Sequence, residues 1–234
     1  MLGIICGMAS EARALGRWAE DGLVQIGISG ARPDRAESEA NRLVEAGCRL
    51  LMSWGVAGGL DPEMKPGDLV VPAAVVDEGG GCWPLSHALG EAVAAAIPGA
   101  RPAPDHGQGR VILGLDRPVL NPDDKTALFA LTGAMTADME THRVARVAAA
   151  RQVPALAVRA VGDPIDCWVP RLASTALGEN GEPRLGAVAL GLLRRPWDLG
   201  ALMRVKRETD AALEALGQIA EQALQRVIDA VRRG

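Results

Sequence analysis

A chain of 234 residues with 48% hydrophobic side chains, a formal net charge of −4 and a pI near 5.5 can bury a sizeable core in one large domain, and its acidic balance argues against a broad nucleic-acid-binding surface. Its four scattered cysteines, Cys6, Cys48, Cys82 and Cys167, form no CxxC pair and fit reduced thiols in a cytoplasmic protein, and its three histidines lack ligand spacing, so no metal is expected. No apolar run is long enough to span a bilayer, and the apolar start lacks a basic flank and meets Glu11 early, which suits a first strand better than a signal peptide.

In chain order, "LGIICG" is a short β-rich run ending at Gly7, and "MASEARALGRWAE" follows as a helix with Leu15 and Trp18 on its apolar face. "LVQIGISG" (residues 23–30) is a second strand, and "RPDRAESEANRLVEAG" is a helix with Pro33 in its first turn and Gly47 closing it. "RLLMSWGVAGGL" predicts a buried strand running into glycines, "GDLVVPAAVVD" one further strand, and "LSHALGEAVAAAIPG" an Ala-rich helix ended by Pro98. "GRVILG" is a strand, "PDDKTALFALTG" and "TADMETHRVARVAAARQ" are helices, and "PALAVRAVGD" is a strand with an acid at its carboxyl end. Over residues 205–233, Leu213, Leu216, Ala220, Leu224, Val227 and Val231 recur at helical spacing and predict a long amphipathic helix. Alternating strands and helices predict one α/β domain over residues 1–234, with a largely parallel, buried sheet between two helical layers.

Such sheets bind ligands at the carboxyl ends of their strands. That rule singles out "GMASE", "SGARPDR", "SWGVAGG" and "GDPID", and adds "TADMET" if its helix starts at the same rim. Each place has an ordinary explanation as well. Glu11 suits a solvated helix acid, "GVAGG" a tight turn, Asp163 before Pro164 turn chemistry, and Asp138 with Glu140 a capped helix start.

Taken together and in order, these segments resemble the purine nucleoside phosphorylase and uridine phosphorylase superfamily, above all its nucleosidase branch. "GIICGMASEARAL" is similar to the opening strand and its G-x-M-x-x-E turn. "ISGARPDRAESEA" is similar to the S-G turn and helix that follow, and "WGVAGGLDPEMKPGDLVVP" to G-S-A-G-G-L with G-D-hydrophobic-V. "TADMETHRVA" resembles the D-M-E segment and "VRAVGDPID" the R-x-x-S-D-x-x-D segment, so the likeness runs from residue 3 to 166.

The resemblance implies a three-layer α/β/α phosphorylase/hydrolase-like fold with a central mixed sheet, and cleavage of the bond between a purine and ribose through an oxocarbenium-like transition state. On the matching positions it implies that Asp163 protonates the departing base and that Glu11 activates the attacking water. Glu140 would bind the ribose hydroxyls, and Met139 would lie against the sugar. Gly30, Arg32, Gly55 and Val56 fall where the nucleophile, water or phosphate, would be held; Arg32 and Arg35 suit an anion at a helix N-terminus or simply a solvated helix face. Phosphate is a candidate co-substrate, and no cofactor is implied.

Three departures are visible: Val56 replaces the Ser before A-G-G, Ser53 replaces a phosphorylase Arg, and Gly162 replaces the Ser before the acid. No aromatic near "GLDRPVL" stands where the base would stack, leaving Trp54, Trp83 and Trp168 as candidates. Beyond Asp166, residues 167–204 form an apolar, centrally basic insert. Its "GAVALGLLRRPWDLGALMR" resembles the hopanoid-associated phosphorylases, a subgroup taken to release adenine from adenosylhopane. That likeness implies a groove for a lipid tail lined by Leu192, Leu193, Trp197 and Met203, with Arg194, Arg195, Arg204 and Lys206 facing anionic headgroups at the inner face of the membrane. Two ordinary packed helices joined at Pro196 would explain the same segment. Relatives form homodimers, which is the oligomer expected. A nucleosidase for small soluble nucleosides and a non-catalytic nucleoside-binding protein remain the competing readings. A dinucleotide-binding protein ranks last, because no complete G-x-G-x-x-G follows the first strand.

Overall fold

The computed structural model describes residues 1–97 and 111–233. Pro98, expected to end a helix, and Gly109 and Arg110, expected to open a strand, lie outside them.

Four parallel strands form the spine. β1 (Leu2–Cys6) lies between β2 (Val24–Ile28) and the long β3 (Leu50–Gly59), and β9 (Ala155–Asp163) runs along the other side of β3. The far end of β3 pairs antiparallel with β8 (Thr136–Asp138). From there the sheet continues through β7 (Val111–Gly114), β5 (Ala74–Asp77) and β6 (Cys82–Pro84), while β4 (Leu69–Val70) pairs antiparallel with β9. The sheet is therefore mixed, with a parallel heart and antiparallel margins.

Alternation along the strands decides which layer each residue feeds. Ile4, Met52, Trp54, Val158 and Ala160 face α1 (Ala9–Ala14), α3 (His87–Ala96) and the long α8 (Leu199–Arg233), whose Ala212, Leu216, Leu224 and Val227 complete that half of the core. Ile5, Leu51, Ala155 and Ala157 face α2 (Pro33–Glu45) and α5 (Thr141–Arg151), against Ala40, Leu43, Val144 and Ala148. The result is the expected three-layer arrangement. Emptying one of these sites, Leu216→Ala for example, costs about 2–5 kcal/mol through lost transfer energy and the cavity left behind.

Several boundaries differ from the sequence expectation. β3 runs straight through "GVAGG" instead of turning there. "TADMET" is first a strand, because Ala137 and Thr136 pair with Gly58 and Gly59, and its helix starts only at Thr141. "GDLVVPAAVVD" breaks at Val71–Ala73, where Pro72 offers no ladder hydrogen bond, into β4 and β5. β6 carried too short a pattern to be noticed. α4 (Pro122–Thr132) is capped by Asn121, whose side chain accepts the Asp124 amide, and it ends at Gly133 with φ 63°. The insert folds as α6 (Arg171–Thr175), α7 (Leu185–Arg194) and a 3-10 turn at Pro196–Asp198 that runs directly into α8, so the last helix starts at Leu199 rather than near residue 205.

Candidate active site

The carboxyl ends of β1, β3 and β9 lie together, and β8 delivers the start of α5 to the same rim. Glu11 is the third residue of α1. Its Oε2 accepts the Met8 amide at 2.9 Å, the backward half of a capping box, while Oε1 accepts the Val56 amide of β3 at 2.8 Å. It is buried rather than solvated, and burial raises its pKa against the opposing pull of Arg159 and the backbone amides. Gly55 makes room for it: a Cβ there would stand 2.5 Å from the Glu11 carboxyl and 2.7 Å from Arg159 Nη1.

Arg159 ties the site together. It sits within β9, fully buried, where the strand pattern is otherwise apolar. Its guanidinium pairs with Asp138, donates to the hydroxyls of Ser53 and Thr141, and lies 3.8 Å from Glu140 Oε2, while Nη1 has no protein partner. Asp138 also accepts the Thr141 amide at 3.1 Å, so it holds the first turn of α5 and neutralises Arg159 together. Glu140 is the half-in residue at the head of α5. It accepts the Ser29 hydroxyl at 3.3 Å and faces Glu11 across Gly7, where a Cβ would lie 3.0 Å from Glu140 Oε1 and 3.3 Å from Glu11 Oε2. Burial first, and then the charge of Asp138, push Glu140 up to about 8. Three buried carboxyls around one guanidinium cannot all be ionised cheaply, which favours a proton within the cluster.

Asp163 ends β9 and lies over Gly58, where a Cβ would be 3.3 Å from Oδ2. The β3–β9 register shifts between Ala57 and Gly58 and leaves Gly162 as the extra residue, a bulge of the kind that re-aims a side chain beside a site. Oδ2 takes a 2.6 Å bond from the fully buried Lys125 of α4, and the side chain is 23% exposed. Burial raises the pKa of Asp163, and the Lys125 ammonium works against that rise. Glu11 lies over Gly55 and Asp163 over Gly58. The two glycines are three residues apart on β3, roughly 10 Å along the strand, so the two acids approach it at different points.

The other expected residues fall into two groups. Val56 contributes its amide to Glu11, and Met139 sits half-buried between the two acids of its segment. Gly30 (φ 69°) is covered: a Cβ there would meet the Glu179 carbonyl at 2.0 Å. That carbonyl accepts Arg35 Nη1 at 2.6 Å, and the neighbouring Asn180 carbonyl accepts the Ala9 amide at 2.9 Å, so the loop before α7 roofs the first two strand ends. Arg32 points to solvent and pairs with Asp34 at 2.8 Å, outside the cluster. Leu193, Trp197 and Met203 stand on the surface, 82%, 73% and 58% exposed, and Leu192 is half-buried. Trp54 is fully buried in the α8-side core and Trp83 packs against the α2–α5 core, whereas Trp168 is exposed beside Val169, whose amide donates to Leu120 of the "GLDRPVL" segment.

Sequence reasoning missed Arg159, Lys125 and the roof loop. A signal existed for the first two: an arginine inside an apolar strand, and a lysine on the buried face of α4 three residues before Leu128, each demand oxygen partners. Among the described residues no group of His, Cys, Asp and Glu could hold a metal ion.

Solved structures with the same architecture include futalosine hydrolase of Helicobacter pylori (TM-score 0.68, 15% identity, 96% of this chain and 97% of that one). They include the 5′-methylthioadenosine/S-adenosylhomocysteine nucleosidase of the same organism in complex with butyl-thio-DADMe-Immucillin-A (0.68, 15%, 96% and 97%). The Neisseria meningitidis nucleosidase with methylthio-immucillin-A is similar as well (0.67, 16%, 95% and 97%). At this identity the likeness is one of fold. No curated protein matches the chain in sequence. The sequence profile of the phosphorylase superfamily matches residues 16–195, and the chain belongs to that superfamily.

Proposed function

We propose that the protein hydrolyses the N-glycosidic bond of a purine nucleoside with a large apolar substituent on its ribose, adenosylhopane being the substrate that the insert suggests. The observation that carries the reading is the buried triad of Glu11, Glu140 and Arg159, with Asp163 at the carboxyl end of the adjoining strand β9. In this mechanism Asp163 gives its proton to the base as the C1′–N9 bond breaks, and Glu140 holds the ribose hydroxyls. Glu11 takes a proton from the water whose oxygen bonds to C1′. The unpartnered Nη1 of Arg159, beside Glu11, is a ready donor to that water. With Trp54 and Trp83 packed into or against the core, Trp168, exposed on the segment that follows Asp163, is the aromatic assigned to the base in this reading.

Water rather than phosphate is favoured by what occupies the anion pocket. Gly30 lies under the Glu179 carbonyl, Arg35 is engaged by that carbonyl, Arg32 by Asp34, and position 53 is a serine. The apolar substituent is supported by the insert, which presents Leu185, Leu193, Trp197 and Met203 to solvent beside Arg194 and Arg195; neither arginine makes an ion pair among the described residues. Apolar side chains ringed by unpaired arginines suit an anionic membrane surface better than a second copy carrying the same charge. The test is base release from adenosylhopane, methylthioadenosine and adenosine, with and without phosphate. Adenosylhopane should be preferred and phosphate should have no effect. Preference for methylthioadenosine would favour a nucleosidase for small soluble nucleosides, and no release from any of them would leave a nucleoside-binding protein.

A further inference from the structure

Lys125 has no role in the chemistry described so far, yet it is fully buried, and its ammonium is surrounded by four oxygens. Besides Asp163 Oδ2 at 2.6 Å, Nζ donates to the carbonyls of Asp163 at 3.0 Å, Pro164 at 2.9 Å and Cys167 at 3.3 Å. A buried lysine with no acceptors would lose its charge. Here the three N–H groups of the ammonium meet four oxygens. All four oxygens belong to the short segment that carries Asp163. The contact therefore fixes where the acid points as well as what charge it faces.

Among the described residues, Lys125 is the one cation paired with Asp163. β3 contributes Gly58, which carries no side chain, and α8 contributes Glu208, whose Oε1 is bound by Arg204 at 2.8 Å. The Cys167 thiol lies on the same segment, and burial followed by Glu208 pushes it up to about 12, so it stays neutral. Burial and Glu208 raise the proton affinity of Asp163, and Lys125 lowers it.

Resting on the proposed hydrolysis, we propose that Lys125 is a positioning residue: by gripping Oδ2 and the three carbonyls around it, it turns the other oxygen of Asp163 toward the leaving base and makes that acid a readier proton donor. A lysine serving only the fold would hold the loop and leave the titration of Asp163 alone.

Two substitutions separate these roles. Lys125→Gln keeps donors for the carbonyls and removes the charge; Lys125→Arg keeps the charge. The Asp163 carboxyl is followed by carbon NMR on aspartate-labelled, ligand-free protein, with Asp163→Asn supplying the assignment. The expected result is a midpoint at least one pH unit higher in Lys125→Gln than in the wild type, and a midpoint within half a unit of wild type in Lys125→Arg. In the base-release assay, the limb of kcat/KM that follows Asp163 should move up by the same amount in Lys125→Gln. An unmoved midpoint in Lys125→Gln would overturn the proposal, as would a midpoint in Lys125→Arg that rises as far as expected for the neutral variant. The NMR titration needs no substrate, so it reads this inference even if base release fails for every nucleoside tested.

Discussion

Glu140 is held where its charge is unfavourable. Its pKa in the folded protein is about 8, above the unfolded value, so the folded state binds a proton that the unfolded state has released. The sign follows directly: this contribution to stability is complete below the unfolded pKa and is lost as pH rises through about 8. Glu140→Gln needs no proton. It should flatten that part of the stability profile and melt several degrees above the wild type at pH 9, at about 2–4 °C per kcal/mol for a domain of this size. The same variant should lose at least ~100-fold in turnover if an ionisable acid at the sugar hydroxyls is required. Thermal melts at pH 5, 7 and 9 beside base-release rates test both halves, and a variant less stable than wild type at pH 9 would refute the first. Gly55→Ala tests crowding instead of charge. Its methyl would press on a carboxyl tied by two backbone amides, so a loss of about 1–3 kcal/mol and a marked fall in turnover are expected, measured by denaturant unfolding and the same assay. At this scale the sequence pointed to Glu11, Asp138, Glu140 and Asp163 through their places at strand and helix ends. It could not say that Glu11 is buried, because its spacing on α1 is equally that of a solvated acid; only the approach of β3 settles the matter.

At the level of elements, the roof loop and the run of glycines in β3 departed most from expectation, for one reason. Both depend on what another segment brings near. "GVAGG" looks like a turn in isolation, but its missing side chains are what let Glu11, Asp163 and Pro164 pack over a continuing strand. "TADMET" carries a helical pattern, and its first three residues are taken instead by the edge of β3 and by β7. The core helices were legible because their periodicity is set by a single buried face. The insert was not, because its apolar stripe is largely exposed and so gave no clue to where it docks. The loop's seat on Gly30 leads to a direct prediction. Gly30→Ala places a methyl against the Glu179 carbonyl at a left-handed φ, so it should cost about 1–3 kcal/mol and release the loop. Limited proteolysis should then cut within residues 178–184 faster than in the wild type, and an unchanged cleavage pattern would count against the roof.

For the whole molecule, the exposed apolar face of α7 and the start of α8 bears on where the protein works. Vesicles of phosphatidylcholine with phosphatidylglycerol should sediment it, and vesicles of phosphatidylcholine alone should not. Leu193→Glu with Trp197→Glu should abolish binding, whereas Arg194→Glu with Arg195→Glu should weaken it and remove its salt dependence. If the same apolar substitutions instead turn a dimer into a monomer in size-exclusion chromatography, the face belongs to a second copy. No helix among the described residues is long and apolar enough to cross a membrane.

The roof loop has one further consequence. Its inner end is pinned to the turn after β1 by the Ala9 amide and by Arg35, with an Arg13–Glu182 ion pair at its flank, and its outer end continues into the exposed helix α7. On the proposed function, a nucleoside entering from the α7 side would have to break those few links. The same stretch of chain would then serve as latch and threshold, with the affinity of a substrate's tail outside available to lift the latch within.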